Sequence, residues 1–291
     1  MTFSHIKTMP LVQTIRNNLL NHGQPFSIYH QTQPTSRPLI WTYLKAPVRY
    51  HKGYEFQNSL VRHKINNPTS PDWLILLQHY PVYTTGRRQL SDHQLKLEQA
   101  RLASVNPTAD FYLTQRGGQT TYHGPGQLVA YPILNLSLTN WNTRTYVDFL
   151  MNLLRSILVH PSLPQTILSL DPTKNPDLPV GIFIGSQWCK IASVGIQVRR
   201  RITCHGFALN IEKESELGFK HIVACGLENT QLTSIQSVLP PNLPSVNVLD
   251  LVQPTVDLFK ELSGCIMKEM DSDCEALDPV GYNLVKNFVN S

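Results

Sequence analysis

Residues 73–78 read Trp-Leu-Ile-Leu-Leu-Gln, a run of large apolar residues of strand length with no polar side chain before Gln78. A strand with one wet face alternates apolar and polar residues, so an unbroken run reads as a strand buried on both faces. Such a strand needs a layer of chain above it and another below. The best helix to supply one spans 145–159. There Tyr146, Phe149, Leu150, Leu153, Leu154, Ile157 and Leu158 recur at i, i+3, i+4, i+7, i+8, i+11 and i+12, a single apolar stripe. Thr145 followed by Asp148 predicts the N-cap, as a capping box with Asp in place of Glu.

The rest of the chain is punctuated around these two elements. Residues 40–44 alternate as a first strand, 54–65 read as a short helix stopped by Asn66-Asn67-Pro68, and 111–115 and 128–136 read as further strands. Five prolines between 161 and 179 predict a loop up to Val180. Three strands then follow closely at 181–185, 190–198 and 203–211. After an irregular link at 237–247, an amphipathic helix is expected at 248–263. No internal repeat is visible. Strands first, then mixed strands and helices, predict an α+β domain.

Charge narrows the function classes. The net charge is +5, yet residues 1–54 hold six basic residues (Lys7, Arg16, Arg37, Lys45, Arg49, Lys52) and no acid. From Glu55 onward 19 basic residues face 20 acidic ones. A nucleic-acid binder carries its basic face on the folded part, so that class is disfavoured. Residues 1–38 are rich in Thr, Gln, Asn and Ser and have no apolar h-region, the composition of a transit peptide rather than a secretory signal. The expected organisation is a leader over 1–38 and one catalytic domain over 39–291. No apolar run approaches the roughly 18–20 residues of a membrane span. Five cysteines, an odd set without a C-x-x-C pair, argue against a disulfide framework and a zinc ribbon, and no metal site is expected. Each thiol is then either core filler or nucleophile.

Three segments carry candidate chemistry. RGGQTTYHGPGQ (116–127) packs Arg116, Tyr122, His123 and Gln127 among four glycines, which let a backbone approach a ligand closely. It lacks the G-K-[ST] of a P-loop and does not open a helix as a dinucleotide fingerprint does. In 181–211, Lys190 opens a strand whose next residues are apolar, which sets its ammonium at the edge of a core or sends it to solvent. Arg199-Arg200-Arg201 reads as a solvated turn or a docking patch for an acidic partner. His205 is either a site imidazole or a satisfied core histidine. Cys225, followed by Gly226 after an apolar approach, ranks first among the thiols, narrowly ahead of Cys189.

Taken in order, 73–86 (WLILLQHYPVYTTG), 116–127, 181–198 (GIFIGSQWCKIASVGIQV), His205-Gly206, Ala224-Cys225-Gly226 and Thr233-Ser234 resemble the octanoyltransferase family, also called lipoate-protein ligase B, over roughly residues 40–265. The resemblance implies a mixed β-sheet flanked by helices, the catalytic-domain fold of biotin and lipoate protein ligases. It implies transfer of an octanoyl or lipoyl group from acyl carrier protein to a lysine on lipoyl domains of 2-oxoacid dehydrogenases and the glycine cleavage H protein, with no cofactor. It carries the nucleophile, which forms a thioester acyl-enzyme, onto Cys225 and the activating lysine onto Lys190. The acyl-binding segments fall on Arg116, Gly117, Gly118, Gln119, Thr120, Thr121, Tyr122 and His123, on Ser193, Val194 and Gly195, and on Gly206, Phe207 and Ala208. Ala224 stands where the family usually has proline. The acyl slot is expected to be an apolar tunnel, since each buried methylene contributes about 0.8 kcal/mol. The basic leader and the length are similar to mitochondrial members, which places the protein in the matrix, with a cytoplasmic location as the alternative. Two rival readings remain open: an ATP-dependent lipoate or biotin ligase of the same fold, and a non-catalytic acyl-carrier or lipoyl-domain binding protein that uses the 199–201 arginines.

Overall fold

The apolar run at 73–78 forms strand β2 (Asp72–Leu77), and all six of its residues are buried. The structure is a computed structural model that describes residues 38–86, 91–163, 180–185, 188–222 and 231–290. The leader expected over 1–38 therefore lies outside the described residues except for Pro38, which begins β1 (Pro38–Tyr43). Strand β1 pairs parallel with β2 on one side and with β10 (Ile266–Glu269) on the other. On the opposite edge of β2 come β6 (Gln127–Ile133), β9 (Ile202–Asn210), β8 (Cys189–Arg199) and β7 (Gly181–Ile184), each antiparallel to its neighbour. The order β10-β1-β2-β6-β9-β8-β7 is a mixed sheet.

The pleat explains why β2 reads as continuously apolar. Leu74 and Leu76 join a core with helices α3 (Thr143–Leu158) and α4 (Val252–Ser263), while Trp73, Ile75 and Leu77 join a second core under α1 (Tyr50–Asn66) and α5 (Pro279–Val289). The α3 stripe is buried at every expected position. Its cap differs: the helix starts at Thr143, and Asn142 is the N-cap, its side-chain oxygen accepting the Thr145 N–H at 2.9 Å. Asn caps at least as well as Thr, and it sits where the chain is still extended. The helix expected over 248–263 splits into a 3-10 turn (Val248–Leu251) and α4.

A second, three-stranded sheet sits beside the first, in the order β4-β3-β5. It consists of β3 (Val82–Thr85), β4 (Asp110–Leu113) and β5 (Thr121–His123). Helix α2 (Asp92–Val105) packs near it and escapes sequence periodicity because only Leu102 is buried. Its one local signal is the Ser91–Gln94 capping box. The C-terminal helix α5 is held by its N-cap, Asp278, whose carboxylate accepts from Trp73 Nε1–H (3.0 Å) and Gly281 N–H (3.1 Å) and meets His63 Nε2 at 2.7 Å. Phe288 then stacks on Phe56 of α1 with centroids 4.3 Å apart. Residues 164–179 of the proline-rich loop lie outside the described residues.

Candidate active site

Two interruptions of strand alternation bring polar groups to a cavity beside α1. The first is on β8. Ile182 pairs with Ala192 but Phe183 pairs with Lys190, so β8 carries one extra residue, Ile191. Such a bulge re-aims the side chain next to it. Ile182, Ile184, Ile191 and Ala192 all join the α3/α4 core, whereas Lys190 turns over the Phe183 ring, its Nζ 5.5 Å from the centroid. Lys190 is buried. Its stem crosses Gly181, where a Cβ would stand 2.6 Å from Lys190 Cε, so a residue without a side chain is needed there.

The second interruption is His205 on β9, which has φ +60. That left-handed value is uncommon for a residue other than glycine. Phe207 and Leu209, two and four residues on, belong to the α3/α4 core. The left-handed turn takes the imidazole out of their row and toward α1. There it stacks on Tyr54 (centroids 5.8 Å) and meets Tyr131 edge-on (6.3 Å).

Between these groups lies a cavity of about 420 Å3, within the range of small-ligand sites. Residues 116–119 close one side. Gly117 N–H donates to Ile196 O (3.1 Å), which ties the loop to the stretch of β8 that β7 leaves open. Arg116 holds the loop's shape: its guanidinium donates to Thr84 O (2.6 Å), Gln119 O (2.9 Å) and Gly117 O (2.9 Å). Twelve of the fourteen expected acyl-binding residues line this one cavity: Arg116, Gly117, Gly118, Gln119, Thr121, His123, Ser193, Val194, Gly195, Gly206, Phe207 and Ala208. Thr120 and Tyr122 do not. Alternation along β5 sends Thr121 and His123 to the cavity and Tyr122 to the other face. There Tyr122 packs against Tyr83 and Phe219, and burial pushes its hydroxyl up to about 12. Thr120 Oγ1 donates to Thr85 Oγ1 at 3.1 Å.

Sequence reasoning missed Tyr50, Val129 and Tyr131, and left His205 undecided; all four line the cavity. Val129 and Tyr131 lie two apart on β6 and share its α1 face, so period-two reading of that strand was the available signal. Nothing in the sequence marks Tyr50, the first residue of α1.

Among the described residues the lining contains no carboxylate, and its charged members there are Arg116 and Lys190. Burial lowers His79 to about 4, and it lowers His123 and His205 to about 3, helped for His123 by His79 and for both by Arg116. All three are therefore neutral near pH 7. His79 Nδ1–H then donates to Val48 O (2.8 Å), which leaves Nε2 to accept from the Tyr131 hydroxyl (2.6 Å). The expected apolar tunnel is thus corrected: Tyr50, Tyr131, His123 and His205 make part of the wall polar. Among the described residues no group of three or more His, Cys, Asp or Glu is arranged to hold a metal.

Cys225 lies outside the described residues. The described chain stops at Ile222 and resumes at Gln231, whose carbonyl accepts the Lys190 N–H at 2.8 Å; Thr233 N–H in turn donates to Lys190 O at 3.0 Å. Leu232 bridges Lys190 in parallel. Of the other thiols, burial pushes up Cys189 and Cys274, and Cys204 to about 11. That is opposite to what a nucleophile needs. In the 199–201 turn Arg200 and Arg201 are exposed, and two of the three arginines also hold the fold. Arg201 donates to Leu136 O (3.0 Å) and Trp141 O (2.9 Å), and Arg199 donates to Asn58 Oδ1 (2.5 Å).

The family model for the lipoyl protein ligase A/B catalytic domain matches residues 49–260. The mitochondrial octanoyltransferase LIP2 of Arabidopsis thaliana is 32% identical over 226 residues, covering 78% of this chain and 86% of that protein. The octanoyltransferase of Nostoc punctiforme is 35% identical over 203 residues, covering 69% of this chain and 80% of its own length. Among solved structures, a bipartite lipoate protein ligase from Thermoplasma acidophilum superposes with TM-score 0.54 at 13% identity, over 88% of this chain and 92% of that one. At that identity the likeness speaks for the fold alone, a mixed sheet flanked by helices.

Proposed function

The chain belongs to the octanoyltransferase family, built on the lipoyl protein ligase A/B catalytic domain, and from that premise we propose that it moves an octanoyl group from acyl carrier protein to a lysine of a lipoyl domain through a thioester on Cys225. The observation that carries the reading is the cavity itself. Residues of segments 116–123 (all but Thr120 and Tyr122), 193–195 and 206–208, far apart in sequence, line one cavity together with Lys190.

In the proposed cycle the Cys225 thiol attacks the thioester of octanoyl-acyl carrier protein. The octanoyl–sulfur bond to the carrier breaks, the carrier thiol leaves with the proton, and octanoyl-Cys225 remains. This exchange of one thioester for another is nearly isoenergetic. The amine of the target lysine then attacks the acyl carbon, an amide forms and the Cys225 thiol is regenerated. No ATP enters the balance. Lys190 is assigned to favour the thiolate by its charge and to relay protons in both steps. Its backbone supports this role, because it holds residues 231–233, six to eight positions after Cys225. Burial raises the thiols of Cys189, Cys204 and Cys274, which speaks against those three as nucleophile, and of the two remaining cysteines, Cys225 and Cys265, the family motif falls on Cys225. The mitochondrial relative and the acid-free N-terminus support a matrix location with residues 1 to about 38 as leader.

The test is intact-protein mass spectrometry. Purified protein mixed with octanoyl-acyl carrier protein and no ATP gains one octanoyl group, and Cys225→Ala does not. Retention of the adduct in that variant overturns the nucleophile assignment. Transfer that requires ATP and survives the substitution points to the ligase reading instead.

A further inference from the structure

Gln127, the last residue of the 116–127 motif, is buried, as is Asn210, with which it pairs across β6 and β9. Their side-chain amides form a chain with a fixed direction. Asn210 Nδ2–H donates to Thr233 O (3.0 Å), and Gln127 Nε2–H donates to Tyr122 O (3.2 Å) and to Asn210 Oδ1 (3.0 Å). Backbone carbonyls only accept, so neither amide can be turned over without setting oxygen against oxygen. Gln127 Oε1 is therefore the acceptor that faces His123 Nδ1 at 3.0 Å, and His123 carries its proton on Nδ1. With that nitrogen turned to Gln127, the unprotonated Nε2 is the one on the cavity side. Burial, helped by His79 and Arg116, keeps the ring neutral.

The same chain ties His123 to the Lys190 end of the cavity. Thr233, which closes it, donates its own N–H to Lys190 O (3.0 Å). Gln127 lies opposite Asn210 and Ala192 opposite Leu209, so Gln127 stands two strands from the start of β8, about 10 Å away. His205, the other imidazole in the described lining, faces Ile196, six residues along β8 from Lys190.

Like charge from Arg116 and Lys190 and burial in the cavity both oppose an incoming ammonium. The lysine that takes the acyl group attacks through its lone pair, so it reacts as a neutral amine, and its buried N–H groups then need acceptors. We propose that His123 Nε2 accepts an N–H of this incoming amine and aims its lone pair at the acyl carbon, with Gln127 and Asn210 as positioning residues that hold the required tautomer. The role rests on the acyl-transfer reading above. It belongs to the second half-reaction, because the thioester of the first carries no donor on its reacting atoms. The proton released in that step still leaves through Lys190.

The experiment separates the half-reactions by rapid-quench mass spectrometry of the full-length protein. It follows octanoyl uptake from octanoyl-acyl carrier protein, then transfer from the isolated acyl-enzyme to a purified lipoyl domain. His123→Asn keeps a donor for Gln127 at the Nδ1 position and has nothing at Nε2, whereas His123→Gln offers an oxygen near Nε2. The ratio of transfer rate to uptake rate falls about tenfold in His123→Asn, and His123→Gln recovers part of it. A ratio that does not move, or a glutamine variant no better than the asparagine one, overturns the role. Nitrogen-15 NMR of the unaltered, histidine-labelled protein reads the tautomer directly, the His123 signal being the one that either substitution removes. Nδ1 is protonated and Nε2 bare near pH 7; the reverse tautomer overturns the role whatever the variants do. An unaltered protein that takes up no octanoyl group overturns the acyl-transfer reading and this role with it, whereas uptake with an unmoved ratio overturns this role alone.

Discussion

Replacing Arg116 with lysine tests whether the 116–119 loop is held by guanidinium geometry or only by charge. Arg116 is 8% exposed. It donates from Nη2 to Thr84 O (2.6 Å), Thr84 Oγ1 (2.8 Å) and Gln119 O (2.9 Å), from Nη1 to Gly117 O (2.9 Å), and from Nε to Thr84 Oγ1 (3.2 Å). These acceptors surround a planar fork. A lysine ammonium keeps the charge but gathers its donors on one atom and cannot span them. At least two acceptors lose their donor, at about 1–3 kcal/mol each. The expected destabilisation is about 3 kcal/mol, a fall in Tm of roughly 6–12 °C for a chain of this size. Thermal unfolding followed by circular dichroism at pH 7.5 measures it directly. Hydrogen exchange adds a local reading: the Gly117 amide, now bonded to Ile196 O, exchanges faster in the variant. A Tm within about 2 °C of the unaltered protein, with Gly117 still protected, refutes the geometric account and leaves charge alone as the explanation.

Two further outcomes follow from the same site. His79 titrates near 6.5 when unfolded but only at about 4 in the fold, because burial disfavours its charged form. Between those values the unfolded chain binds more protons, so stability is full above pH 6.5 and is lost as pH falls toward 4, by roughly 3 kcal/mol for this one group. Urea midpoints that stay level from pH 7 to pH 5 contradict that linkage. Gly206→Ala places a Cβ 2.2 Å from Ala130 O of the neighbouring strand, and overpacking at a central strand is expected to cost about 3 kcal/mol or more. A Gly206→Ala protein with the parent's urea midpoint shows that the strands separate more easily than this packing allows.

What local sequence determined is whatever depends on near neighbours. The stripe from Tyr146 to Leu158 and the apolar run at Trp73 announced α3 and β2, because burial period is written into a single segment. The three closely spaced strands at 181–211 were legible for the same reason, with ends off by one residue. Motif resemblance named fourteen candidate acyl-binding residues, and twelve of them line one cavity. Alternation on β5 is itself a local rule, and it separates Tyr122 from Thr121 and His123.

Only the tertiary structure decided which way the chemistry points. Lys190 reaches the cavity because the Ile191 bulge shifts its row, and Gly181 clears its path. His205 reaches it through one left-handed residue inside a strand. Neither device has a sequence period, since each is a single break in a regular pattern that neighbouring strands and α1 must hold in place. Tyr50 and Tyr131 became cavity residues for a related reason: α1 brings Tyr50, and β6, paired with β9, brings Tyr131, to the cavity that His205 lines, from positions about 80 residues apart. The sequence therefore settled the class of fold and the family. The polarity of part of the cavity wall arises only from packing, because it depends on which polar side chains the fold turns toward the cavity.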